Sequence, residues 1–115
     1  VVAHNARYEA GIIGCFAPSC PTLATVQYLD TVALAKAVLP GLVNYRLDTV
    51  ADRLGVTCIG RRHRALPDAA MTSAVLLKLL DLGREKRLFD SMTDLLMLSS
   101  IRPDEIVAKK QVSLL

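Results

Sequence analysis

Residues 69–82, AAMTSAVLLKLLDL, constrain this chain more than any other stretch. They read as a helix whose apolar residues cover most of its circumference instead of one stripe. Such a helix is expected deep in a core, with neighbours packed on several sides. The chain has 115 residues, enough for one small domain, and a domain of that size buries about two-thirds of the surface its unfolded chain exposes. The other elements must therefore be arranged around this helix. At 52% hydrophobic residues with no Trp, the material for that core is mostly aliphatic.

Short apolar and helical segments alternate along the rest of the chain. Val1 to Ala3 is an all-apolar run suited to a parallel strand buried on both faces. Arg7 to Phe16 reads as a short helix interrupted by Gly11 and Gly14, and Pro18, Ser19 and Pro21 read as a loop. Thr25 to Leu29 has the β-branched and aromatic residues of a second strand. Val32 to Leu39 is helical, with Asp30 or Thr31 available as N-cap and Pro40-Gly41 as the stop. Leu47, Val50, Ala51 and Leu54 fall on one helical face, and Gly55 is placed to end that helix. Val56 to Ile59 is a short apolar piece and Gly60 to Arg64 a basic loop. Leu88 to Leu98 is helical, and Pro103 heads a last short helix. Met71, Met92 and Met97 read as core. Two or three strands among these helices indicate an α/β layer fold.

A net charge of +3 permits contact with phosphates without requiring it. No apolar run reaches the roughly 18 residues of a membrane span, so no membrane contact and a cytoplasmic location are expected. Three cysteines, an odd number without a secretory leader, argue for reduced thiols. Val1 opens inside an apolar run with no turn or cap before it, a start that reads as a cut.

Two stretches carry polar groups where chemistry is conceivable. "HNARYEAG", residues 4–11, places His4, Asn5 and Glu9 behind the first strand. "HRALPDAAMTSAVLLKLL", residues 63–80, places His63 at the end of the basic loop and Asp68 in the first turn of the apolar helix. A carboxylate there is favoured by the helix dipole alone, which is the plain structural reading of Asp68. His4 and Asn5 likewise suit the satisfaction of nearby backbone groups.

Taken together, "VVAHNARYEAG", "LDTVALAKAVLP", "YRLDTVADRLGV" and "HRALPDAAMTSAVLL" resemble, in order and spacing, the later two-thirds of a DEDD-type 3′–5′ exonuclease domain with a histidine in its third motif. This is the family of the DNA polymerase III epsilon proofreading subunit, ribonuclease T and exonuclease X. The H-R-A-L-P-D form and the "LLMLSSIRP" tail look most like the exonuclease X branch. The resemblance implies a ribonuclease H-like α/β fold, incomplete at its N-terminus, with helices on a short, partly parallel sheet. Residues 1–83 are then the C-terminal part of the exonuclease-like domain and 84–115 a helical extension.

The implied chemistry is hydrolysis of a terminal phosphodiester with two bound divalent cations, Mg²⁺ or Mn²⁺, held by converging carboxylates. His63 matches the family's general base and Asp68 its third-motif metal ligand. Glu9 falls where the second motif carries aspartate, one methylene longer. Substrate contacts are expected from His4, Asn5, Arg62 and Arg64, and the partner is a single-stranded nucleic acid or a 3′ end. The family's first motif, D-x-E on its first strand, has no counterpart here, so two of the four carboxylates are absent. The isolated chain is accordingly expected to be inactive or nearly so. The helices at Val32 to Leu39 and Ala69 to Leu82 are expected to be partly uncovered, a surface for a second copy or a partner chain. The competing expectation is a degenerate, non-catalytic nucleic-acid or protein-binding module of the same fold.

Overall fold

A computed structural model describes residues 1–57 and 64–106. The fold is mostly helical, with one small mixed sheet. Its elements are β1 (Val2–Ala3), α1 (Ala6–Cys15), a 3₁₀ turn (Ala17–Ser19), α2 (Pro21–Thr25), β2 (Tyr28–Asp30), α3 (Thr31–Val38), α4 (Leu47–Leu54), α5 (Ala65–Glu85), α6 (Met92–Ser99) and β3 (Ser100–Ile101). Residues 103–106 are helical again. In the sheet β2 is central: it pairs in parallel with β1, Val2 opposite Leu29, and antiparallel with β3, Tyr28 opposite Ile101. The expected α/β arrangement of helices on a short, partly parallel sheet is the one observed.

The N-terminal region differs from its sequence reading in four ways. β1, expected to be buried on both faces, is an edge strand whose Val2 is 44% exposed, since among the described residues only β2 pairs with it. Helix α1 runs unbroken through Gly11 and Gly14. Its buried residues, Ala6, Ala10 and Gly14, recur every fourth position, and this small-residue stripe lets the helix lie close to β2, with Ala6 and Ala10 against Tyr28. Two short helical turns stand where a loop is expected, with Cys20 between them, because Pro18 is the second residue of the 3₁₀ turn and Pro21 the first of α2, positions where a missing N–H costs nothing. The second strand starts at Tyr28, since Thr25 closes α2 and its hydroxyl donates back to the Pro21 and Thr22 carbonyls, both at 3.2 Å.

The main core collects Leu34, Val38, Val50, Val75 and Leu79, all at 0% exposure, with Phe89 and Leu95. Helix α4 is the plainest case: Leu47, Val50 and Ala51 face inward, and Gly55 ends the helix at φ 72°, in the left-handed region that favours glycine. Helix α5 is longer than its apolar run, and it is not deeply buried. Only Met71, Val75, Leu79 and Gly83 are buried, while Leu66 and Leu77 are 79% and 63% exposed. An apolar circumference states what a helix tolerates; the neighbours decide what is covered. At Gly83 the Phe89 ring lies where a side chain would sit, a Cβ there falling 2.3 Å from the ring edge. Met71 is core, whereas Met92 and Met97 are exposed, because α6 starts only at Met92 and turns Leu95 and Ser99 inward instead.

Candidate active site

One carboxylate organises the junction of the sheet with two helices. Asp30 ends β2, and its Oδ1 accepts from Val32 N at 3.0 Å, which caps α3. The same oxygen accepts from Asn5 N at 3.0 Å and Ala6 N at 3.1 Å, the start of α1. The two helix N-termini share one anion, which answers their unsatisfied N–H groups and their positive dipole ends. Asn5 stands at φ 69°, a left-handed conformation that asparagine tolerates, and this turns the chain from β1 into α1.

His4 is clasped beside it. Its Nε2 is 2.7 Å from the Tyr45 carbonyl, to which only a ring N–H can donate, and its Nδ1 is 2.7 Å from the Thr31 hydroxyl. Thr31, fully buried, is also within reach of the Ala3 carbonyl at 3.4 Å. The imidazole thus ties β1, the start of α3 and the start of α4 together.

Beyond this clasp lies a cavity of about 640 Å³ whose wall is made by β1, by Glu9 of α1, by Leu47, and by Asp68, Thr72 and Ser73 of α5. Glu9 projects from the exposed first turn of α1. Asp68 is half-buried in the first turn of α5, whose N-cap residue, Arg64, makes no side-chain cap. Thr72 is one turn further along that helix, its hydroxyl donating to the Asp68 carbonyl at 2.8 Å. Glu9 is also felt by the sheet: burial pushes the Tyr28 phenol above its ordinary pKa, and the charges of Cys20 and Glu9 add in the same direction.

The structure therefore brings together His4, Glu9 and Asp68 of the residues singled out in the sequence. Asn5 lines a neighbouring cavity that shares His4 and Leu47 with the first. Arg64 is exposed, and His63 and Arg62 lie outside the described residues. Thr72 and Ser73 were not anticipated, although the spacing of Asp68 and Thr72 puts them on one helical face. Glu9 and Asp68 are hard oxygen donors of the kind Mg²⁺ and Mn²⁺ take. Among the described residues no group of three or more His, Cys, Asp or Glu is arranged to hold a metal ion. The donor set suits a hard divalent cation in kind and falls short, in number, of what two cations require. No helix among the described residues is long and apolar enough to cross a membrane.

A chain with this mixed sheet, and with carboxylates from two helices on one cavity wall, has the build of a ribonuclease H-like nuclease. The comparisons agree: residues 3–76 match the RNase T family of exonucleases, and the chain belongs to that family. Among its relatives, DNA polymerase III PolC-type of Thermotoga maritima is 37% identical over 86 residues, which is 74% of this chain and 6% of that protein. The PolC-type polymerase of Oceanobacillus iheyensis is 35% identical over 89 residues, 76% of this chain and again 6% of the relative. The 3′–5′ exonuclease DinG of Bacillus subtilis is 31% identical over 91 residues, 73% of this chain and 9% of the relative. The chain thus spans less than a tenth of the length of these relatives. No solved structure matches it.

Proposed function

We propose that this chain is part of a 3′–5′ exonuclease that hydrolyses terminal phosphodiesters of DNA or RNA in the cytoplasm. The observation that carries the reading is the meeting of Glu9 and Asp68, from helices far apart in sequence, on the wall of one cavity within the matched stretch. Membership of an exonuclease family that generally uses divalent metal ions supports it further.

In this reading Asp68 and Glu9 hold the cation side of the site, Mg²⁺ or Mn²⁺, which when bound activates water and stabilises the leaving oxygen. Glu9, a methylene longer than aspartate, reaches further across the cavity from the start of α1. His63 takes the proton of the attacking water as general base, a task an imidazole near its ordinary pKa suits. Asn5, Arg62 and Arg64 meet the strand, and His4 contributes through its hold on the cavity wall. Two carboxylates are too few for two cations, so the 115 residues alone hydrolyse little or nothing.

The test uses the whole natural protein, a 5′-labelled single strand and Mn²⁺. Stepwise shortening from the 3′ end is expected, slowed by at least about 10²-fold in His63→Ala. Equal digestion by both proteins removes His63 from the mechanism. Strand binding without any shortening by the unaltered protein points to a non-catalytic member of the family, a reading favoured by the small donor set.

A further inference from the structure

We propose that Lys36, Tyr45 and Arg46 form a track that holds a single-stranded nucleic acid as it leaves the carboxylate cavity, a proposal that rests on the function above. The second cavity, about 740 Å³, is lined by these three residues together with Asn5 and Asp48, and His4 and Leu47 are common to both cavities. The two therefore adjoin at the clasp.

The Tyr45 ring is fixed at both ends. Its hydroxyl donates to the Leu39 carbonyl at 2.8 Å, and its own backbone carbonyl accepts from His4 Nε2 at 2.7 Å. The Lys36 ammonium stands 5.8 Å from the centre of that ring, from the last turn of α3. Arg46 follows at the N-cap of α4, its side chain making no cap. The Tyr45 hydroxyl bond folds residues 39–45 back on the end of α3, which brings Lys36 and Arg46 to one cavity although they belong to different helices.

Neither Lys36 nor Arg46 makes an ion pair among the described residues, and Asp48 is the single carboxylate on this wall among them. Exposed cations answer the first need of an unpaired strand, neutralised phosphates, and the Tyr45 ring, half-buried against the main core with the Lys36 ammonium over it, offers a face to a base once that ammonium turns to a phosphate. Stacking costs the protein little ordering here, because the ring is already held. The chemistry is shared by DNA and RNA strands, since the phosphate and the base face are common to both.

The experiment measures anisotropy of 5′-labelled ten-residue oligo-dT and oligo-U with the full chain, in chelator so that no strand is cut. The Lys36→Gln/Arg46→Gln double variant, which keeps most of both stems, is expected to bind at least about tenfold more weakly. Its salt dependence is expected to flatten by about 1.4 in log–log slope, two phosphate contacts on a single strand. Tyr45→Leu weakens binding about fivefold or more, while Lys78→Gln, an exposed cation elsewhere on α5, changes nothing. Equal losses on both strands mean that the backbone and the base face are read; a loss confined to one names the natural strand. A folded double variant with unchanged affinity and slope overturns the track and leaves the carboxylate reading standing. If the unaltered chain binds neither strand, the track falls together with the nucleic-acid reading.

Discussion

Asp30 and Asp68 are the same residue at the same kind of place, the start of a helix, and they meet opposite surroundings. Asp30 caps α3 and takes N–H groups of α1 on the same oxygen, so its charge is spent on joining elements. Asp68 sits in the first turn of α5 and faces the cavity that Glu9 faces from α1. The local signal in the chain is alike for both, a carboxylate where the helix dipole favours one. What separates an architectural carboxylate from a candidate ligand is where the fold places it: Asp30 is taken up by the N-terminus of a second helix, whereas Asp68 stands on the wall of a cavity that Glu9 also lines.

This contrast breaks first at Asp30. Asp30→Ala is expected to destabilise the chain by about 3 kcal/mol, since one charged acceptor of three backbone N–H bonds is lost at once. Urea unfolding followed by circular dichroism measures it, and a loss below about 1 kcal/mol would mean that the clasp is ornamental. His4→Ala comes next, at about 2 kcal/mol, because the Tyr45 carbonyl and the Thr31 hydroxyl lose their partner in a half-buried place. Asp68→Asn, which keeps the shape and one acceptor oxygen, should cost well under half of what Asp30→Ala costs, about 1 kcal/mol. If it costs as much as Asp30→Ala, Asp68 belongs to the frame and not to a site.

The smallest effect sharpens the picture on the sheet side of Glu9. The folded Tyr28 phenol titrates above the tyrosine of the unfolded chain, chiefly because it is buried. Its contribution to stability is therefore whole below the unfolded value of 10.0 and is lost as pH rises through the folded one. Absorbance of tyrosinate should show the Tyr28 phenol titrating late, shifted slightly down in Glu9→Gln and still above the ordinary value. A phenol that titrates normally in the unaltered chain contradicts the packing of α1 on β2.

Much of this was legible in the amino acids, and the limits are physical. Helix α4 was readable because its apolar spacing and its closing glycine agree. β3 was not, since two residues carry no period, and it exists only because the chain after α6 returns to the open side of β2. Pro18 and Pro21 misled because proline both breaks helices and begins them. The apolar girth of α5 promised burial that only other elements can provide, and Leu66 and Leu77 are left exposed. As for the site, Glu9 and Asp68 stood out through their order along the chain, and no local pattern distinguishes them from ordinary helix-start residues. Lys36 and Tyr45 are joined by a fold-back that no periodicity announces.

The central claim is that Glu9 and Asp68 serve one cation, and Mn²⁺ binding followed by electron paramagnetic resonance tests it most directly. The unaltered chain should bind a single Mn²⁺ weakly, and Glu9→Gln and Asp68→Asn should each lower that affinity at least about tenfold. The double variant should lose scarcely more than the worse single one, as partners at one centre do. Additive losses, or affinities that neither substitution moves, would mean that the two carboxylates share a wall and nothing else.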